Sequence, residues 1–108
     1  MKKETIRVLR KRPGEPWNLG LIGNDLESLQ HFVDGYIETV TITSDLVLIC
    51  NEEGQIRNME FNTNILNLPI YGPIIIAGVD KDEFDDIPAD VKQLIDIGLI
   101  KGEVVYVN

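Results

Sequence analysis

Hydrophobic and polar residues change their spacing several times along the chain, and each change marks an element. In "KETIRVLRKR", Ile6 and Val8 alternate with Arg7, a period of two that predicts a half-buried strand. "PGEP" (Pro13 to Pro16) is a turn signal, and a second strand over residues 17–22 closes a hairpin, weakened by Gly20. The period then lengthens. Leu26, Leu29, Phe32 and Val33 fall three and four apart, so residues 25–34 are expected to form a helix with one apolar face. Asn24, with Glu27 three residues on, is the expected N-cap, and Gly35 the C′ residue at positive φ.

Period two returns in "YIETVTIT", whose β-branched positions predict a strand. Ser44-Asp45 makes a two-residue turn. "LVLIC" is apolar on both faces, as in a central strand covered on both sides. After Asn51-Glu52-Glu53-Gly54, "QIRNMEF" reads as its partner strand. Residues 62–72, "NTNILNLPIYG", read as a loop with one helical turn. "PIIIAGV" is another strand, with Pro73 at its start, where a missing N–H does least harm. A second helix is expected in "IPADVKQLIDIG", with Pro88 at its first position, Val91, Leu94 and Ile95 as its stripe, and Gly98 as its stop. "EVVYV" closes the chain as a strand.

The order is ββαβββ-loop-βαβ. It predicts a single domain over residues 1–108 of the α+β class. The sheet should be mixed and largely antiparallel, with two helices mainly on one of its faces. A doubly wound nucleotide fold needs strict strand–helix alternation, which this order lacks.

Composition narrows the function. At 108 residues with 44% hydrophobic and 26% charged residues, the chain can bury one core. A single cysteine cannot form an internal disulfide, and no apolar run is long enough for a bilayer or resembles a signal peptide, so a cytoplasmic setting is expected. Net charge is −8 and uneven. Residues 1–12 carry six bases and one acid, a balance of +5, which leaves −13 on the rest. An acidic body disfavours general nucleic-acid binding.

Candidate chemistry is sparse. Cys50 is followed by two carboxylates, which disfavour a thiolate, and the lone histidine, His31, falls off the apolar stripe of the first helix. A buried structural cysteine is the expectation. Asn51 and Gly54 fit the first and last positions of a type I turn, with Gly54 left-handed in a bulged hairpin. The acidic run Asp80, Asp82, Glu83, Asp85, Asp86 fails the EF-hand template: Phe84 falls at its fifth position, Asp85 at its glycine and Val91 at its twelfth. A looser cation site there is the lesser alternative to a solvated loop. Arg7, Lys11 and Arg10 are candidates to share a side and touch phosphate, with Trp17 and Tyr36 available to stack. Walker, Gly-x-Gly-x-x-Gly, Cys-x-x-Cys and His-Glu-x-x-His motifs do not occur.

Three stretches carry a family resemblance: "NDLESLQHFVDGYIETVTI", "DLVLICNEEG" and "GPIIIAGVDKDEF". Over about residues 5–86 the chain resembles a family described only as a domain of unknown function, the Asn-Glu-Glu-Gly step being the most specific match. The resemblance implies a small protein of low-GC bacteria, their phages and their conjugative or plasmid elements. It supplies no catalytic residues. The resulting expectation is a non-catalytic interaction module with a protein partner and no cofactor or metal. Its contact surface is expected at Asp80, Asp82, Glu83, Phe84, Asp85 and Asp86. Alternatives from other classes are a small enzyme using Cys50 or a carboxylate cluster, and a weak nucleic-acid binder using the basic strand.

Overall fold

The computed structural model describes residues 3–88 and 90–107; Lys2 of the basic segment and Ala89 of the second helical stretch lie outside them. β1 (Thr5–Lys11) and β2 (Trp17–Gly23) form the first hairpin, with Leu9 opposite Leu19. Helix α1 (Leu26–Val33) follows, then β3 (Ile37–Thr43) and β4 (Leu46–Asn51) around the Ser44-Asp45 turn. β5 (Phe61–Ile65) and β6 (Leu68–Tyr71) pair only with each other. β7 (Ile74–Asp80) enters the centre of the main sheet, and β8 (Glu83–Asp85) turns back on its end. Helix α2 (Val91–Asp96) and β9 (Val104–Tyr106) complete the chain.

The main sheet runs β3-β4-β7-β1-β2-β9, with β8 paired to β7; every pairing is antiparallel except β2 with β9. The α+β class and the mostly antiparallel mixed sheet are therefore as expected. β4 lies between β3 and β7 and is buried at all six positions, as its doubly apolar run requires.

The helices do not share a face. Val47, Ile49, Ile75 and Ala77 pack with Leu29, Phe32 and Val33 of α1. The alternating residues Leu46, Leu48, Cys50, Ile74 and Ile76 pack with Val91 and Leu94 of α2, and with Leu99, Ile100, Ile65 and Ile70. Because successive strand side chains point to opposite faces, α1 and α2 cover opposite sides. Two cores result, one above and one below the sheet. No helix among the described residues is long and apolar enough to cross a membrane.

Other expectations change at particular residues. Asp25, not Asn24, caps α1: its carboxylate accepts from Ser28 N at 2.7 Å and Ser28 Oγ at 2.9 Å. The Asn24 amide is used elsewhere, donating to the carbonyls of Lys3 and Phe84. Leu26 is mostly exposed and leaves the buried stripe to Leu29, Phe32 and Val33. At the other end of α1 the C-cap Asp34 is itself left-handed (φ 62), and Gly35 at C′ has the expected positive φ (154).

"QIRNMEF" is not a strand until its last residue. Arg57 N bonds Glu53 O and Met59 N bonds Gly54 O, holding the segment in consecutive turns with Ile56 exposed. The expected loop at 62–72 is the β5–β6 hairpin, closed by Leu66 and Asn67, both at positive φ (50° and 65°). Two such residues make the turn whose twist matches paired strands. Lys81 and Asp82 (φ 51° and 67°) do the same for β7 and β8, so part of the acidic run is strand. Pro88 precedes α2 instead of starting it, because the Asp90 carboxylate caps Lys92 N. Ile95 is 41% exposed, and Leu99 and Ile100 complete the buried stripe in its place.

Candidate functional site

Cys50 ends β4 on the α2 face, 6% exposed. Burial, and then the charge of Glu38 across the β3–β4 pairing, push its thiol up to about 11. A thiolate nucleophile needs the opposite shift. His31 is exposed on α1, which covers the other face of the sheet, so the two side chains cannot form a nucleophile–base pair.

The Asn51–Gly54 step is a structural joint. Gly54 N bonds Asn51 O at 3.3 Å, and the Asn51 side-chain oxygen accepts from Glu53 N at 2.7 Å. Its amide nitrogen donates to Val33 O and Asp34 O, both at 3.0 Å, satisfying carbonyls at the C-terminal end of α1. Asn51 therefore ties the end of β4 to the end of the helix. Gly54 does not take the expected left-handed conformation. Its requirement is closeness: a Cβ there would lie 2.5 Å from the Tyr71 carbonyl oxygen. No bulged hairpin forms, since the chain leaves this step through turns.

The acidic run divides in two. Asp80, Asp82 and Glu83 are exposed around the β7–β8 turn. Phe84 is partly buried against the α1-face core. Asp85 and Asp86 bind Lys3 at 3.0 and 2.8 Å, and Asp86 also accepts from Arg7 N at 2.8 Å. The hydrogen bonds from Lys3 hold both carboxyls below the usual aspartate range, helped by the Asp86 N–H at Asp85 and the Arg7 N–H at Asp86. These two acids fasten β8 beside β1. Among the described residues no three His, Cys, Asp or Glu side chains group closely enough to hold a metal ion.

The basic strand is likewise split by its own alternation. Lys11 turns to Asn62, donating to its side-chain oxygen at 2.8 Å. Arg10 lies on the other side, bonded to Asn18 and the Leu21 carbonyl. Arg7 and Lys11 thus fall on the side of Leu9 as expected, while Arg10 falls on the side of Ile6 and Val8, so the three form no single basic surface. Trp17 is 1% exposed in the α2-face core and offers nothing to stack on, whereas Tyr36 is exposed.

A feature that no motif announces lies between α2 and the β3–β4 turn. A groove of about 480 Å³ is lined by Leu46, Leu94, Pro88 and Ile97, with Asp45 and Asp96 among its polar residues. A second depression shares Thr43, Leu46 and Ile97 and continues to Ile42 and Leu66. The acidic hairpin adjoins this groove: Val79 N bonds Asp45 O at 3.0 Å, and Gly78 packs beside Pro88. The available sequence signal was "LIDIGLI", which holds more apolar positions than one buried stripe can use. Ile97, 72% exposed, is the surplus.

No curated protein and no solved structure shows significant similarity to the chain. A family profile matches residues 6–97, most of the length, and includes every stretch that carried the sequence resemblance from Ile6 onward. The chain belongs to the DUF3846 family, a domain of unknown function.

Proposed function

We propose that this domain is a non-catalytic interaction module whose α2 face holds a protein segment with an apolar anchor flanked by basic residues. The observation that carries the reading is Ile97, 72% exposed at a groove lined by the buried Leu46 and Leu94 and by Pro88. Around it stand Asp45 and Asp96, and beyond Asp45 the exposed carboxylates Asp80, Asp82 and Glu83. A large apolar residue left in water beside an apolar groove favours a partner that covers both. Acidic rims steer basic partners and reject acidic ones. Within the acidic run the contact falls on Asp80, Asp82 and Glu83, while Phe84, Asp85 and Asp86 hold the hairpin in place. A role as an accessory protein of a phage or other mobile element is the setting of this proposal, and the resemblance alone supports it.

The test is photo-crosslinking in the producing cell from a reactive residue at position 97, with position 26 on the other face as the control. The captured segment, made as a peptide, is expected to carry Lys or Arg beside an apolar residue. It should bind the wild type about tenfold or more tighter than Ile97→Asp, a difference typical of losing one buried apolar anchor. An acidic captured segment, or binding that Ile97→Asp leaves unchanged, would overturn the proposal.

A further inference from the structure

The opposite face carries a second and chemically different groove, of about 740 Å³, between the end of β1 and helix α1. Two guanidinium groups enter it from the strand side. The Arg12 carbon sits 4.4 Å from the centre of the Phe32 ring, and that of Arg10 sits 5.8 Å away. Arg10 is further fixed by donating to Asn18 Oδ1 at 3.3 Å and Leu21 O at 3.2 Å. Among the described residues neither arginine has an ion-pair partner, although the chain carries 18 acids against 10 bases. Burial, and then the like charge of Arg12, weaken the hold of Arg10 on its proton. Two cations kept together, Arg10 partly desolvated and neither one ion-paired among the described residues, are at a disadvantage that a bound anion removes.

From the helix side Ser28 and His31 line the same groove, with Asp25 and Glu27. We infer that this groove binds a small phosphate-bearing ligand, its phosphate held by Arg10 and Arg12 and its hydroxyl groups facing Ser28 and Glu27. Guanidinium forks match phosphate oxygens in pairs, and the Phe32 ring holds the Arg12 fork in position before any ligand arrives. A long polyanion fits poorly. Asp25 and Glu27 line the groove itself, and Asp34 ends the same helix, so a strand of nucleic acid leaving the arginines would meet carboxylates.

The experiment is calorimetric titration with sodium pyrophosphate, with sodium chloride at matched ionic strength and a single-stranded oligonucleotide as the other arms. Pyrophosphate should bind saturably, where chloride gives no isotherm. Arg12 is exposed, so Arg12→Gln should keep the circular dichroism spectrum of the wild type while weakening pyrophosphate by about tenfold, the scale of a lost charge-assisted pair. Arg12→Lys, which keeps the charge and loses the fork, should weaken it as well. Arg7→Gln removes a charge from the same strand outside the groove and should leave affinity within about twofold. Binding no stronger than that of chloride, an equal loss in Arg7→Gln, full affinity in Arg12→Gln, or preference for the oligonucleotide would each overturn the inference.

Discussion

Under α1, β4 contributes Val47 and Ile49; under α2 the same strand contributes Leu46, Leu48 and Cys50. Both faces are apolar at the sheet, and they differ in what covers them. On the α1 face one helix of eight residues is secured at both ends, by Asp25 at its start and by Asn51 and Arg57 bonding its last carbonyls. On the α2 face the cover is assembled from pieces: a six-residue helix, the segment Leu99–Ile100 and a hairpin with its own small sheet. Short pieces leave seams. The apolar groove beside Ile97 is such a seam, whereas the groove on the α1 face is polar because Arg10 and Arg12 reach it from the strand end.

The comparison breaks first if one face proves not to be a true core. Leu48 and Ile49 are neighbours, both fully buried, on opposite faces. Leu48→Ala and Ile49→Ala should each cost about 2–5 kcal/mol in denaturant unfolding, the range for large-to-small core changes. A cost below about 1 kcal/mol on the α2 side would mean that its patchwork cover does not exclude water.

A smaller effect tests the joint between the faces. Asn51→Ala removes a buried side chain that makes three hydrogen bonds and leaves Val33 O without this donor, a loss of about 2–3 kcal/mol. Glu52→Gln, one residue on and exposed, should stay within about 0.5 kcal/mol in the same unfolding assay. If the two variants cost the same, the Asn-Glu-Glu-Gly step is not the structural joint described above.

The smallest effect is pH-dependent. The folded state keeps the Cys50 proton until about 11, against 9.0 for an ordinary thiol. The unfolded state therefore ionises first, and its stability gain weakens the fold as pH rises between those values. The unfolding free energy of the wild type, relative to Cys50→Ala, should fall by about 2 kcal/mol over that interval and be flat below it. At neutral pH iodoacetamide should modify Cys50 slowly in the native protein and rapidly in denaturant. Fast native modification would place the thiol in solvent.

Local pattern was enough where a local signal decides the structure. The alternation in β1 and β3, the doubly apolar β4 and the stripe of α1 were all legible, and with them the α+β class. Where distant contacts decide, the pattern misled. Leu66 is a poor residue for positive φ, so the β5–β6 hairpin carried no turn signature. "QIRNMEF" has strand-like residues, yet Gly54 lies against the Tyr71 carbonyl and Arg57 bonds Asp34 O, and both fix turns. For Cys50 the sign of the shift was readable and the cause was not. Glu52 and Glu53 follow it in sequence, but burial and Glu38 on the paired strand raise the thiol. The acidic run was visible as charge, whereas the groove beside it joins residues from position 43 to 97 and belongs to no local motif.

The central claim is that partner recognition belongs to the α2 face. The affinity of the captured partner peptide for wild type, Ile97→Asp and Arg12→Gln tests it most directly. The account predicts a loss of about tenfold or more for Ile97→Asp and no change for Arg12→Gln. Loss in Arg12→Gln with full affinity in Ile97→Asp would place recognition on the α1 face and contradict it.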